Sequence, residues 1–376
     1  MRVAVVAGAR PNFMKIAPLL VALDARGLEA WLIHTGQHYD HNMSEVFFDE
    51  LGIRAPDVNF EVGQSSQSEQ LGRIMVALEA WLDATPVDAV LVAGDVTSTV
   101  ACAIVSARRQ IPIGHVEAGL RSFDRGMPEE VNRVVVDALS TWLFTPSSDA
   151  DAELLAEGAE PARIHLVGNI MVDCLVNSLV RARERDAASR LGVSGPYALA
   201  TLHRPALVDD PFRVAPVLGA LSDLAEEVPV VFPMHPRTRA RFEEFGLGGR
   251  LGALVVTEPL GYLDFLSLED GAAMVLTDSG GVQEETTALG VPCLTIRENT
   301  ERPITIEQGT NQLVGFDPDL IRSAASSVLS DPPPPRRPEL WDGHAADRIV
   351  SVLEKGVPEL TWRPPALAHE DRGAIR

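Results

Sequence analysis

Along the chain, short runs of Val, Ile, Leu and Ala alternate with longer stretches in which apolar residues recur every three or four positions. Buried parallel strands and their crossover helices have that appearance. In the first half the runs predict strands at 3–7, 30–34, 89–93, 113–116, 142–146 and 164–167. Helices are expected between them at 16–25, 68–84 and 98–109. A mixed-charge stretch at 171–191 predicts one long helix leading to the break at Gly195 and Pro196. The cycle then restarts, with strands expected at 197–202, 230–234, 254–256, 274–277 and 292–296. Two successive βα series imply an α/β chain of two doubly wound domains that face each other, with ligand in the cleft at the carboxyl ends of the strands. The run DPPPPRRP at 331–338 reads as a stiff extended linker. One more helix is expected near 344–354, and the Pro-containing tail from Gly356 reads as disordered.

Composition narrows the class of ligand. The 376 residues suit two domains of ordinary size, and 46% hydrophobic residues give each a core. A net charge of −21 argues against a nucleic-acid backbone as partner, since phosphate binding there wants an excess of Lys and Arg on one face. An anionic small molecule is compatible with it, because a pocket needs only a few local cations. Of the 32 basic residues only Lys15 and Lys355 are lysines. Where arginine is the default cation, Lys15 suggests a need for the compact ammonium. Cys102, Cys174 and Cys293 lie far apart in apolar contexts and read as reduced core residues. No cleavable signal pattern and no run of eighteen apolar residues occurs, which predicts a soluble, cytoplasmic protein.

Candidate chemistry falls where predicted strands end. After the strand at 113–116, Glu117, Arg121, Asp124, Arg125, Glu129, Glu130 and Arg133 lie within seventeen residues. Proton transfer near a bound anion needs carboxylates and guanidinium groups together, although a solvated, salt-bridged loop has the same composition. In GARPNFMK, Gly8 permits a tight turn and Arg10 with Lys15 could hold a diphosphate, or be two surface cations at a strand-to-helix turn. Asp95 in GDVTST is either the N-cap of the following helix or an acid or base in the same layer as Glu117. TLHRP sets His203 and Arg204 just past a strand, suited to a phosphate oxygen or a leaving group. LTDSGGVQEE runs from strand through a Gly-Gly turn into a helix, so the N–H groups of 279–282 can cradle phosphate, and Glu285 suits ribose hydroxyls. His34, His38 and His41 fit no standard zinc spacing, and a metal site is not expected. No GxSxG, GxGxxG or GxxxxGK[ST] motif is present in a matching context, which removes support for a hydrolase triad, tightly bound NAD or a Walker loop.

The segments GARPNFMKIAPL, TGQHYDHNMSEVFFDELGI, GHVEAGLRSFDRGMPEEVNR, LTDSGGVQEE and RENTERPITIEQGTNQLVG together resemble the non-hydrolysing UDP-N-acetylglucosamine 2-epimerases. The likeness runs from residue 1 to about 353. It implies a GT-B fold with an N-terminal Rossmann-like domain at 1–170, a UDP-binding Rossmann-like domain at 171–342, a helix at about 343–355 crossing back onto the first, and a tail at 356–376. It also implies a homodimer in cell-surface polysaccharide biosynthesis that interconverts UDP-N-acetylglucosamine and UDP-N-acetylmannosamine without NAD or metal. The implied route eliminates UDP to give 2-acetamidoglucal and adds it back after reprotonation on the other face.

By motif match, Asp95, Glu117 and Glu129 stand at the family's essential acidic positions, with Arg133 and His203 in the catalytic set. Arg10, Lys15, Ser279, Gly280, Gly281, Glu285 and Arg302 match UDP-binding positions, and Phe265 in GYLDF is expected in the same pocket. Which carboxylate is acid and which is base stays open. Two departures stand out: Ala206 and Leu207 replace polar residues of the family's HRxEN, and Val96 replaces the Thr of GDT. They keep three alternatives in view: another UDP-2-acetamido sugar such as a 2,3-diacetamido uronic acid, the hydrolysing relative, and a nucleotide-sugar-binding protein without turnover. Gln37 and His38 match loosely a loop used for regulation by a second nucleotide sugar in bacterial members.

Overall fold

The structure, a computed structural model, describes residues 1–37, 48, 50–63 and 65–358, with the side chains of Arg10 and Pro11 outside that set. Seven parallel strands form the first sheet: β1 (Arg2–Ala7), β2 (Glu29–His34), β3 (Val58–Asn59), β4 (Ala89–Ala93), β5 (Ile113–Val116), β6 (Trp142–Thr145) and β7 (Ile164–Leu166). Their spatial order is β3-β2-β1-β4-β5-β6-β7. Six more form the second: β8 (Ala198–Thr201), β9 (Val230–Pro233), β10 (Val255–Thr257), β11 (Met274–Thr277), β12 (Cys293–Thr295) and β13 (Asn311–Leu313), in the order β10-β9-β8-β11-β12-β13. All pairings are parallel, as βα crossovers require.

The central strands are apolar because helices cover both of their faces. All five residues of β4 and all four of β11 are buried, which is why they read as continuous apolar runs rather than alternating ones. In each sheet the winding direction reverses once, between β1 and β4 and between β8 and β11. Loops leaving adjacent strands at such a reversal diverge and open a crevice at the strands' carboxyl ends. GARPNFMK and GDVTST leave the first switch point, and TLHRP and the DSGG turn leave the second.

The helix Ala345–Glu354 returns to the first sheet's layer. Asp173 accepts the N–H groups of Ala345 (3.1 Å) and Ala346 (2.8 Å), two donors left free at that helix start. Trp341, 1% exposed, donates from Nε1 to the Pro146 carbonyl at 2.9 Å. Both contacts join residues about 170 to 195 positions apart, so the carboxyl end is tied to the amino-terminal half.

The structure corrects three local expectations. The helix at 171–191 is two helices, Ile170–Arg185 and Ala187–Arg190, broken at Asp186, which takes a left-handed φ of 45° without a glycine or proline to announce it. Strands β3 and β13 were not expected, since sequences as short and polar as VN and NQL carry no apolar run. The strand expected at 254–256 runs one residue later as Val255–Thr257. Of the tail, 359–376 lies outside the described residues.

Candidate functional site

On the first sheet, two strand ends present carboxylates, one after a glycine turn and one from a residue with a strained backbone. Gly94 closes β4 with φ +65°, and a Cβ there would lie 2.8 Å from Lys15 Nζ. Asp95 follows but does not cap the next helix; Val96 is the N-cap and the Asp95 carboxylate pairs with Arg133. Glu117, just past β5, holds φ 73°, a left-handed conformation costly for a residue with a side chain. It carries a cation on each oxygen: Lys15 at Oε2, and Arg302 at Oε1 2.8 Å away.

A buried polar relay sets both turns from behind. His115 on β5 places Nε2 2.9 Å from the Gly94 carbonyl and Nδ1 2.6 Å from Asp137. The other oxygen of Asp137 accepts the Gly119 N–H at 3.2 Å and faces Arg121 at 2.7 Å. One imidazole–carboxylate pair thus grips the residue before Asp95 and the residue two after Glu117, and networks of this kind are rigid when every member is satisfied. Burial works against ionisation of Asp137, but His115 and Arg121 outweigh it and hold its carboxyl below the ordinary value.

The same balance governs the cleft. Burial opposes the charge on Asp95, yet Lys15, Arg133 and Arg302 hold it below the usual carboxylate range. Burial lowers Lys15 to about 8, with Asp95 and Glu284 pulling it back up and Arg302 and Arg133 pushing it further down. The charge-dense segment therefore divides. Glu117, Glu129 and Arg133 line the cleft. Arg121 and Glu130 are buried scaffolding, Glu130 accepting the N–H groups of Ser122 (2.9 Å) and Phe123 (3.0 Å) and pairing with Arg133. Asp124 and Arg125 point to solvent.

The second sheet supplies the opposite wall. Asp278, fully buried, accepts the backbone N–H of His203 (2.9 Å) and Arg204 (2.8 Å), and its other oxygen lies 2.9 Å from His203 Nδ1, off the hydrogen-bond direction. That carboxylate fixes the backbone that carries His203 in the cleft wall. Ser279 begins the helix Gly280–Leu289, and a Cβ at Gly281 would meet no protein atom within 4 Å. The space over this helix start, with its free N–H groups, suits a phosphate. One turn on, Glu284 accepts Asn169 Nδ2 and Arg302 Nε, each at 2.9 Å, while Glu285 accepts the Tyr262 hydroxyl at 3.1 Å. Burial and the neighbouring Glu284 raise Glu285 to about 7, against the Tyr262 hydrogen bond.

Both walls enclose a cavity of about 970 Å³. Phe265 and every residue matched to a catalytic or UDP-binding position line it, except Arg10, whose side chain is outside the described set. Arg204, named from TLHRP, also lines it, as do His235, Tyr262, Glu284 and Glu301, which were not selected. Glu284 and Glu301 adjoin selected residues and Tyr262 stands in GYLDF with Phe265, signals the motif reading passed over; His235 sits in a stretch with no motif. None of the departures lies in the cavity wall. Leu207 is 1% exposed in the second core, Ala206 faces solvent, and Val96 caps a helix. His34 is buried and its Nδ1 accepts the Gly36 N–H at 2.9 Å; His38 and His41 lie outside the described residues. All three cysteines are buried and free. Among the described residues no helix is long and apolar enough to cross a membrane, and no cluster of three or more metal-ligating side chains occurs.

The sequence profile of the UDP-N-acetylglucosamine 2-epimerase family matches residues 21–354. The UDP-N-acetylglucosamine 2-epimerase of Methanocaldococcus jannaschii is 39% identical over 365 residues, covering 95% of this chain and all of that one. The UDP-2,3-diacetamido-2,3-dideoxy-D-glucuronate 2-epimerase of Pseudomonas aeruginosa is 38% identical, covering 94% and 100%. Among solved structures, that of the Methanocaldococcus jannaschii enzyme in complex with UDP-GlcNAc and UDP aligns with a TM-score of 0.85 at 38% identity over 95% of this chain and all of that one. The two sheets, their order and these neighbours together make the architecture a GT-B fold. With matches of that length and identity on both counts, the chain belongs to the UDP-N-acetylglucosamine 2-epimerase family.

Proposed function

We propose that this chain reversibly converts UDP-N-acetylglucosamine to UDP-N-acetylmannosamine, as a non-hydrolysing enzyme that needs neither NAD nor metal and works as a homodimer. The observation that carries the reading is the opposition of two sets across one cavity: Asp95, Glu117 and Glu129 on one wall, the open helix start at Ser279–Gly281 with His203 on the other. Phosphate on the helix start sets the sugar against the carboxylates. A carboxylate takes the C2 proton, the C1–O bond breaks, and its electron pair leaves on the β-phosphate oxygen as C1=C2 forms. Reprotonation at C2 from the other face and return of the phosphate oxygen to C1 give the epimer. Asp95, held ionised by its cations, is suited to accept a proton; Lys15, Arg302 and the helix start stabilise the departing diphosphate. Incubation with UDP-N-acetylglucosamine in deuterated water should place deuterium at C2 and yield UDP-N-acetylmannosamine. Absence of exchange overturns the proposal, and stoichiometric build-up of free N-acetylmannosamine with UDP would make the chain a hydrolysing enzyme.

A second substrate has a specific observation behind it. The relative named for a diacetamido glucuronate is 38% identical to this chain, against 39% for the Methanocaldococcus jannaschii enzyme, so identity does not separate the two sugars. A uronate would add a carboxylate at C6 and need a further cation at the sugar end of the cavity. Running both sugar nucleotides in the exchange assay decides between them by relative kcat/KM.

A further inference from the structure

Glu269, on the helix Tyr262–Gly271, is fully buried, and neither of its oxygens has a hydrogen-bond partner among the described residues. A carboxylate in that position has lost its water and gained no donor, which is prohibitively unfavourable for the charged form. Its immediate neighbour is a second carboxyl group, Glu285. Two carboxylates can only repel, so the one hydrogen bond open to this pair is made by a proton on one of them.

The surroundings decide which one. Glu285 accepts the Tyr262 hydroxyl at 3.1 Å and lines the cleft, so it has a donor on one side and ligand or water on the other. Glu269 has neither. The titratable groups around the pair are Glu284 beside Glu285, Tyr262 and Asp270 on the helix of Glu269, Cys174 on Ile170–Arg185 and Cys293 on β12, none of them a cation. The charge belongs on Glu285 and the proton on Glu269.

We propose that Glu269 is a positioning residue for nucleotide recognition: it keeps a proton, donates it to Glu285, and so holds Glu285 as an ionised acceptor for the ribose hydroxyls of UDP. With Tyr262 and Glu269 occupying its protein-facing lone pairs, Glu285 has its remaining ones directed at the cleft, where a vicinal diol fits a carboxylate. The inference rests on the reading of the cavity as a UDP-sugar site.

Calorimetric titration of the full chain with UDP and with 2′-deoxy-UDP tests it, in the wild type, Glu269→Gln and Glu269→Leu. The wild type should prefer UDP by about tenfold, the scale of one hydrogen bond to a charged acceptor. Glu269→Gln keeps a neutral donor and should retain that preference. Glu269→Leu removes the donor and should reduce the preference to about twofold or less, with folding checked by circular dichroism. Infrared spectroscopy at a pH well above the value of about 7 for Glu285 should show a protonated carboxyl band in the wild type that Glu269→Gln lacks. Full ribose discrimination by Glu269→Leu, or no band lost in Glu269→Gln, overturns the proposal while leaving the epimerase reading intact. No binding of UDP by the wild type would overturn both.

Discussion

Arg302 reaches across the cleft to Glu117, its Nη2 2.8 Å from Oε1, while its Nε holds Glu284 Oε1 at 2.9 Å. One guanidinium from the loop after β12 therefore bridges a carboxylate at the end of β5 and another on the helix Gly280–Leu289. Its partners are nearly enclosed, with Glu117 and Glu284 side chains 7% and 3% exposed. A fork that satisfies two buried anions at once fixes the distance between the two walls.

Replacing Arg302 with methionine keeps much of the packing and removes the charge. Glu117 is then left with Lys15 alone and Glu284 with Asn169. Truncating one partner of a buried ion pair costs about 3 kcal/mol or more, and urea denaturation should show a loss of that size. In the proposed reaction the same cation faces the departing diphosphate, so kcat/KM should fall by about a hundredfold or more. An unchanged kcat/KM would remove Arg302 from the site.

Lys15 gives the site a pH limit. Burial lowers it from 10.5 to about 8, so the ammonium beside Glu117 is lost as pH rises through that value. The kcat/KM profile should fall on its alkaline side with an apparent pKa of about 8, and Lys15→Arg should move that limb upward, since guanidinium stays charged. Stability moves the other way. The unfolded chain binds this proton more tightly than the folded one, so between pH 8 and 10.5 folding releases it and the Lys15 contribution becomes less unfavourable with rising pH. An activity loss that simply tracks unfolding at high pH would refute the assignment.

The strands that frame this chemistry were legible because burial on both faces writes itself as an apolar run, as β4 and β11 show. The strand-end motifs were legible for a related reason: charge and glycine next to such a run have no use in a core. Pairing across the cleft was not legible. Nothing local to Arg302 says that it meets Glu117, 185 positions away, and nothing local to Glu269 says that its neighbour is Glu285. Asp137, which holds the Gly94 turn through His115 and the Gly119 N–H directly, carries no mark of that role in the sequence. Long-range contacts depend on how two sheets face each other, and periodicity carries no such information. The suspicion that fell on Leu207 shows the converse, because a motif departure near His203 proved to be a core contact.

Two glycines should separate folding from ligand binding. At Gly94, φ is +65° and a Cβ would approach Lys15 Nζ at 2.8 Å, so Gly94→Ala should cost about 1–2 kcal/mol through backbone strain and displace the ammonium as well. At Gly281 the protein itself leaves a Cβ free space within 4 Å, and φ is not in the left-handed region. Alanine there relieves the helix of a glycine and should stabilise the fold by about 0.5–1 kcal/mol. It also fills the space above the helix start where a phosphate would sit, so KM for the UDP-sugar should rise by about tenfold or more while the melting temperature rises. Thermal melts and steady-state kinetics on the two variants check this together. If Gly281→Ala binds UDP as tightly as the wild type, the phosphate does not lie on this helix start and the orientation of substrate in the cleft must be reassigned.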